Sequence, residues 1–315
     1  MSTLPPRVLA LMAWATVSFV WGTTYISNDL AIATIPPFRY ASLRFLVAGL
    51  LVFPLARWMA DDETSIWAIV RHPTARAGTF TLGIGVGANI WALQWLPSGI
   101  AAVLVAGVPL WMVLVERFVF DGARLRVPVL LGLALGIMGI GIITLEQGHT
   151  STAQASLWAV AVVLGAGCSW AYGSVLIRHR TPPADLASTA GAQMLWAGLL
   201  QGGVSLLLGE TTTEPVSLLS GGAALYTVVF GTCLAYIGYL YALRHLSVAF
   251  VSTYVFVNPV VALGLGWLVL GDPLTLQTLV GSAVILLGLA LTRIRSSPRD
   301  APTEPSQEVS AACDA

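Results

Sequence analysis

Long apolar stretches alternate along the chain with short polar connections, and this pattern predicts ten membrane-spanning helices. A helix that crosses a bilayer needs about 20 mostly apolar residues, whereas a transmembrane β-strand needs only about 10 residues of alternating polarity. The apolar stretches have the length of helices, so the predicted fold is an all-α integral membrane protein. The predicted spans are residues 8–27, 37–56, 77–96, 98–117, 127–146, 156–177, 187–208, 219–241, 247–270 and 274–293.

The composition supports a membrane protein and narrows its partners. Hydrophobic residues make up 57% of the chain and charged residues 10%, whereas a soluble domain carries about 25% charged residues. The formal net charge is +0 and the sequence has no clustered basic face, so no nucleic-acid partner is expected. The expected partners are the lipid bilayer and a small-molecule substrate. The oligomeric state stays open, with a homodimer among the alternatives.

The distribution of arginine predicts how the chain is oriented in the membrane. With a cytoplasmic N-terminus, the inside segments hold Arg7, Arg57, Arg71, Arg76, Arg117, Arg124, Arg126, Arg178, Arg180, Arg244, Arg293, Arg295 and Arg299. The outside loops are mostly acidic, and positive charge favours the cytoplasmic side. We therefore predict a multi-pass protein of the plasma (inner) membrane with both termini in the cytoplasm. Residues 294–315 are polar and are predicted to be a disordered cytoplasmic tail.

The two halves of the chain resemble each other. The segment "ALQWLPSGIAAVLVAGVP" ends at Pro109 and "ALRHLSVAFVSTYVFVNP" ends at Pro259, an offset of 259 − 109 = 150. An offset of 149 places Trp21 on Trp170. The predicted repeats are residues 8–146 and 156–293, with five spans each, and an odd number of spans inverts the second repeat in the membrane. Inverted repeats are typical of transporters that work by alternating access around a site near the bilayer midplane.

Several motifs indicate a family. "VSFVWGTTY", "LRFLVAG", "LPSGIAAVLVAGVPLW", "SWAYGSVLI" and "LSVAFVSTYVFVNPVVALGLG" occur in order over residues 8–293. The chain resembles the EamA family of the drug/metabolite transporter superfamily, and within it the bacterial ten-helix inner-membrane permeases. This resemblance implies two five-helix repeats around a central cavity and export of small metabolites or drugs. One departure is the "GDPLT" turn, where Asp272 stands at a position that is often Glu in the family.

Arg44 is a permanent cation inside the second predicted span, about 10 Å along its axis. A charge at the bilayer centre costs at least about 2.5–3.5 kcal/mol, so such a residue normally faces protein or a wet cavity. One interpretation is an anchor for a substrate carboxylate or phosphate. The other is a structural arginine that binds helix-end carbonyls or reaches the outer headgroups. Gln193 occupies the Arg44-equivalent position of the second repeat and, like Asn89, is a candidate cavity residue.

Prolines and aromatic residues within the spans are further candidates. Pro109 and Pro259 fall at matching places of the two repeats, each frees a carbonyl one turn back, and Asn258 lies beside the second. The aromatic candidates for the cavity wall are Trp21, Tyr25, Trp111, Trp170, Tyr236, Tyr239 and Tyr254. An aromatic wall would suit flat, amphipathic or cationic solutes. Interfacial anchoring and core packing are the alternatives for the aromatics, and a simple kink is the alternative for the prolines.

The sequence shows no titratable relay in mid-span and no cofactor motif. Coupling therefore uses Glu146 or Asp29 near the outer face, or the protein is an uncoupled facilitator. No metal-ligand spacing is present, and a chain without Lys cannot carry a Walker site. We predict no metal, no cofactor and no enzymatic activity.

The leading functional hypothesis is a secondary transporter or facilitator of amino acids, related metabolites or drugs, working by export. The first alternative is a carrier of phosphorylated or nucleotide-linked sugars, which would use Arg44. The second is an intramembrane enzyme that acts on lipid, for which no catalytic set is evident.

Overall fold

A computed structural model describes residues 5–60, 63–121, 127–147, 153–212, 215–246, 251 and 254–293. Every regular element within these ranges is helical, which confirms the all-α prediction. The predicted tail, 294–315, and part of the ninth predicted span, 247–250 and 252–253, lie outside the described residues.

Seventeen helical segments follow one another in the described ranges. They are α1 Pro6–Ile32, α2 Pro37–Met59, α3 Ile66–Arg71, α4 Pro73–Arg76, α5 Thr79–Val86, α6 Gly87–Ala92, α7 Ser98–Val105, α8 Val108–Val119 and α9 Val127–Gln147. The second half contains α10 Ala153–Arg178, α11 Leu186–Leu207, α12 Leu218–Tyr226, α13 Thr227–Leu234, α14 Ala235–His245, α15 Tyr254–Leu265, α16 Gly266–Leu270 and α17 Leu276–Arg293.

Local sequence explains where several helices begin. Pro6 and Pro37 occupy the first turns of α1 and α2, where a missing N–H costs nothing and the fixed φ favours the helix. Asp185 caps α11, because its Oδ1 accepts hydrogen bonds from the backbone N–H groups of Ala187 (2.8 Å) and Ser188 (2.9 Å). The two short helices α3 and α4 lie in a connection for which the hydrophobic pattern predicted no element.

Five helical stretches of the described chain are long and apolar enough to cross a bilayer: Pro6–Ile32, Pro37–Met59, Ser98–Val119, Leu157–Arg178 and Leu218–Ala242. Leu130–Gly139, Val257–Leu270 and Leu276–Gly288 are shorter apolar helices. The protein is therefore a multi-pass membrane protein by helix length and composition.

Several predicted spans are interrupted rather than continuous. The predicted span 98–117 is divided into α7 and α8, and Gly107 lies in the connection. The predicted spans 77–96 and 219–241 each contain a segment with wider π-helical turns, α5 and α13. Such turns leave a local mismatch in the hydrogen-bond ladder and are often found at functional sites. They occur at matching places of the two halves, since α13 begins 227 − 79 = 148 residues after α5.

Equivalent helices of the two halves pack against each other. The predicted second and seventh spans, α2 and α11, form one pair, and the fifth and tenth, α9 and α17, form another. In the same way α1 packs on α15 while its counterpart α10 packs on α8. This arrangement is what a pseudo-two-fold relation between two repeats requires, and it leaves a space between them.

Small residues allow the closest of these contacts. A Cβ atom at Gly198 of α11 would lie 2.7 Å from Leu46 Cγ, and a Cβ atom at Gly288 of α17 would lie 2.7 Å from the carbonyl oxygen of Gly132. The hydroxyl of Ser42 donates to the carbonyl oxygen of Gly198 across the same α2–α11 contact (2.8 Å). Close backbone approach of this kind is how helices associate in lipid, where apolar side chains gain little by leaving the solvent.

Candidate functional site

A cavity of about 100 Å³ lies between the two halves of the molecule, with lining residues from both. Eight of the candidate residues from the sequence line it: Trp21, Tyr25, Arg44, Asn89, Trp170, Tyr236, Tyr254 and Asn258. The other five, Pro109, Trp111, Gln193, Tyr239 and Pro259, are not among its lining residues. Among the described lining residues, Arg44 is the only side chain with a formal charge at neutral pH.

Arg44 reaches the cavity from α2 and is held by a ring of neutral polar groups. Its Nε donates to Thr232 Oγ1 (2.7 Å) and its Nη1 donates to Asn28 Oδ1 (3.1 Å). The Tyr40 hydroxyl donates to the same Asn28 oxygen (2.8 Å) and shares a 2.7 Å hydrogen bond with Thr227 Oγ1. The ring closes within α13, where Thr232 Oγ1 donates to the Thr227 carbonyl oxygen (2.9 Å). The guanidinium, which extends from α2, is thus oriented by partners on α1 and α13.

The π-helical turn of α13 explains why Thr232 is available to Arg44. A threonine in a regular α-helix commonly bonds a carbonyl three or four residues back, whereas Thr232 bonds the carbonyl five residues back. The wider turn places its oxygen beside the guanidinium. The sequence pattern did not reveal Thr232, Asn28, Tyr40 or Thr227. Asn28 could have been selected from the sequence, because it lies seven residues after Trp21 and therefore on the same face of α1.

An aromatic cluster forms one wall of the cavity. The rings of Trp21 and Trp170, at matching positions of the two repeats, meet edge to face with centroids 6.1 Å apart. Tyr254 lies 5.0 Å and Tyr239 lies 5.1 Å from the Trp21 ring by the same measure. Trp21 Nε1 also donates to the carbonyl oxygen of Gly231 in α13 (3.1 Å). Tyr239 therefore supports the wall from behind rather than lining the cavity.

Gln193, the Arg44-equivalent residue, is committed to protein contacts. Its side chain is 1% exposed, its Nε2 donates to the Thr74 carbonyl oxygen (2.9 Å) and its Oε1 accepts a hydrogen bond from the Tyr236 hydroxyl. Arg44 and Gln193 thus perform related bridging tasks in the two halves. They differ because Arg44 also faces the cavity and carries a charge.

The two proline positions differ in local structure. Pro109 is the second residue of α8, just beyond the interruption at Gly107, so the first half is broken there. Pro259 is buried inside α15, which continues through it. A proline costs one backbone hydrogen bond and a kink without necessarily ending a helix. Asn258, beside it, lines the cavity, and with its amide oriented so that the nitrogen faces the carbonyl oxygens of Ser18 (2.8 Å) and Tyr254 (3.2 Å) it donates to both.

Trp111 packs outside the cavity, in an apolar cluster that includes Val115, Ala171 and Val175. This packing belongs to the contact between α8 and α10.

Asp29, one of the two acidic residues considered for coupling, is not among the residues that line the cavity. Asp272 follows α16 at the turn before α17, and burial raises the pKa of its carboxyl above its ordinary value. Its Oδ2 atom is buried without a hydrogen-bond partner among the described residues. Asp29 of α1 lies near enough to interact with it electrostatically. The side chain of Glu146 lies outside the described residues.

The described residues also offer no obvious place for a metal ion. The searched part of the chain contains no group of three or more His, Cys, Asp or Glu side chains that could hold one.

The fold and the cavity define a class of protein: a polytopic helical membrane protein whose two related halves enclose a polar and aromatic space. A family profile described as the EamA-like transporter family matches residues 8–145 and 157–294. The chain belongs to this family, which confirms the resemblance found in the sequence.

Individual relatives support the same assignment. The chain is 32% identical over 276 residues to the uncharacterized inner membrane transporter YedA of Escherichia coli (strain K12), with 87% of each chain covered. It is 27% identical to the uncharacterized transporter YvbV of Bacillus subtilis (strain 168), with 96% of each covered. A solved crystal structure aligns with a TM-score of 0.63 at 18% identity, covering 90% of this chain and 96% of the other, and it shows likeness of fold alone. By its family and its relatives, the protein is a membrane transporter.

Proposed function

We propose that the protein is a secondary transporter or facilitator that moves small metabolites, such as amino acids or related compounds, or drugs, across the inner membrane by alternating access. The observation that carries this proposal is the cavity at the contact between the two halves, with an oriented cation on one side and an aromatic wall on the other. Inverted repeats bind their substrates at this place.

The proposal includes a topology. Ten spans form two inverted repeats, residues 8–146 and 156–293, with both termini cytoplasmic and export as the direction of transport. The arginine distribution supports the orientation, and the pairing of equivalent helices supports the repeat. The names of the relatives, as transporters and in one case an inner membrane transporter, are consistent with it.

A carrier of phosphorylated or nucleotide-linked sugars is the second candidate, and Arg44 is the observation that favours it. A phosphate with two negative charges would retain excess charge next to a single guanidinium, and the remaining described lining is neutral. Because of this excess charge, sugar phosphates fit the cavity less well than solutes of lower charge.

Flux in proteoliposomes tests the proposed function. The purified protein is reconstituted, and uptake of amino acids, aromatic amides, organic cations and sugar phosphates is measured. At least one class should show saturable flux. That flux should fall about fivefold or more in Trp170→Ala, which removes part of the cavity wall, because an aromatic contact contributes on the order of 1 kcal/mol.

Trp158→Ala is the matched control for that variant. Trp158 lies on the same helix, α10, but is 59% exposed on the outside of the molecule. Equal loss in both variants would point to a general effect on folding. Saturable flux that neither variant changes would contradict transport through this cavity.

A further inference from the structure

We propose that Arg44 is the anion-binding group of the cavity and that it receives the carboxylate of a small, singly charged organic acid. The inference rests on the proposed transport function and narrows its substrate class. Arg44 is a buried charge that lacks a counter-ion among the described residues.

Arg44 is 6% exposed, yet both of its side-chain hydrogen bonds go to neutral oxygen acceptors. In the part of the chain that the structure describes, no carboxylate forms an ion pair with it. Buried charges in proteins are normally paired, because an uncompensated ion in a low-dielectric setting is strongly unfavourable. A ligand carboxylate would supply the missing negative charge.

The guanidinium has more donors than these two hydrogen bonds use, and the neutral Tyr40 hydroxyl also lies within hydrogen-bonding reach of it. Of its five N–H groups, two donate in the hydrogen bonds described, through Nε and Nη1. Nη2 faces Gly231, where a Cβ atom would lie 3.5 Å away, and Gly231 itself lines the cavity. The side-chain atoms nearest to that Cβ position are the methyl groups of Thr24 (2.7 Å) and Thr227 (3.4 Å), which offer Nη2 no acceptor. A planar carboxylate matches the edge of a guanidinium, since arginine binds it with two parallel hydrogen bonds.

A second buried polar atom, on a residue that lines the cavity, indicates what the rest of the solute carries. Asn89 is 8% exposed and lines the cavity, and its Oδ1 atom is buried without a hydrogen-bond partner among the described residues. An unpartnered acceptor is costly unless a ligand donates to it. The cavity therefore combines a cationic donor, a neutral acceptor and an aromatic wall. It fits an aromatic or apolar monocarboxylate that carries one hydrogen-bond donor away from its acid group.

The charge balance distinguishes a carboxylate from a phosphate. One guanidinium neutralises one carboxylate, whereas a phosphate monoester carries about one further negative charge that none of the described lining residues meets.

Thermal stabilisation of the purified full-length protein by paired probes tests the proposal. The pairs are 4-hydroxybenzoate with 4-hydroxybenzamide, and phenylacetate with phenylacetamide, which share shape and differ in charge. Glucose 6-phosphate is added as the phosphate probe. We expect the acids to raise the melting temperature of the wild type and to bind at least about tenfold more tightly than their amides.

Substitutions at Arg44 and at a control arginine test whether Arg44 causes the preference for acids over amides. Arg44→Gln should abolish the difference between acid and amide. Arg39→Gln should preserve it, because Arg39 lies at the start of the same helix, outside the cavity, and donates to Thr212 (3.0 Å). Arg44→Lys keeps the charge if the glutamine variant fails to fold, and it should still weaken acid binding about tenfold, since lysine lacks the planar fork. Asn89→Ala should weaken 4-hydroxybenzoate more than phenylacetate.

Three results would overturn the proposal: equal binding of acids and amides by the wild type, acid preference that survives in Arg44→Gln, or no stabilisation by any acid in the panel. Tighter binding of glucose 6-phosphate than of the acids would replace the carboxylate with a phosphate. The proposed transport function stands separately, because saturable flux of neutral or cationic solutes would support it even if Arg44 proved structural.

Discussion

At the scale of single residues, the cavity is built by polar side chains that hold one another and leave selected atoms uncovered. Arg44, Thr232 and Asn28 form hydrogen bonds within a buried ring. Such a ring is rigid because each unsatisfied member would carry a desolvation cost. The proposed carboxylate ligand would bind to the donors of Arg44 that this ring leaves over.

The charge at Asp272 leads to a prediction about pH. Its pKa is raised by burial, so folding favours the protonated form. This contribution is favourable at low pH and is lost as pH rises through the raised pKa. Asp272→Asn should therefore melt at a higher temperature than wild type at pH 7, and the difference should vanish as pH falls below the ordinary range of an aspartate.

Melting curves of both proteins across pH 3–8 check this prediction, with Asp29, the neighbouring titratable group, unchanged in both. A difference that is constant with pH would show that the carboxyl proton is not involved.

At the scale of elements, α2 and α11 depend on close contact through small residues. Gly→Ala in an open helix is favourable by about 1 kcal/mol. At Gly198 the added methyl group would overlap Leu46, whose backbone nitrogen would lie 2.8 Å from the new Cβ atom. We expect Gly198→Ala to destabilise the protein by about 1–3 kcal/mol through overpacking.

Gly203→Ala is the control on the same helix, because nothing lies within 4 Å of a Cβ atom there. Its melting temperature should equal or exceed that of wild type. Equal effects of the two substitutions on the midpoint of thermal unfolding would contradict the contact between α2 and α11.

Sequence patterns predicted the helices better than their interruptions. The apolar stretch 37–56 corresponds closely to Pro37–Met59, because lipid requires every backbone group to be satisfied within a helix. The interruption at Gly107 lies two residues before Pro109, which the sequence had marked as freeing a carbonyl one turn back. The π-helical turns of α13 were not predicted, because the hydrophobic pattern does not encode them. Thr232 was missed for the same reason: its position follows from a turn whose geometry is not encoded in hydropathy.

In the candidate site, too, the sequence revealed some features and the structure was needed for others. Residues that are unusual in a span, such as Arg44 and Trp170, stood out in the sequence and line the cavity. Gln193 was equally unusual, yet the structure commits its amide to Thr74 and Tyr236. A polar residue in a span has to be satisfied somewhere, and only the structure shows whether protein or ligand provides the partner.

At the scale of the whole molecule, the two halves repeat the same plan with different side chains. Trp21 and Trp170 meet at the centre, whereas the Arg44 position carries a charge in one half alone. The described lining of the cavity is therefore charged on the Arg44 side and neutral elsewhere.

Orientation is a prediction at the same scale. A green fluorescent protein fused to the C-terminus should fluoresce, because the arginine distribution places this end in the cytoplasm. An alkaline phosphatase fused at the same point should be inactive. The reverse pair of results would show an outside C-terminus and would invert the proposed topology.

Counterflow in proteoliposomes is the direct test of transport by alternating access through the cavity. Vesicles that contain the purified protein are loaded with an unlabelled solute that the protein transports, and entry of the labelled solute is followed over time. Alternating access around one cavity predicts saturable entry that the internal solute accelerates, with both properties lost in Trp170→Ala and kept in Trp158→Ala. Entry that rises linearly with concentration and ignores the internal solute would contradict a transporter that exposes this cavity to each side in turn.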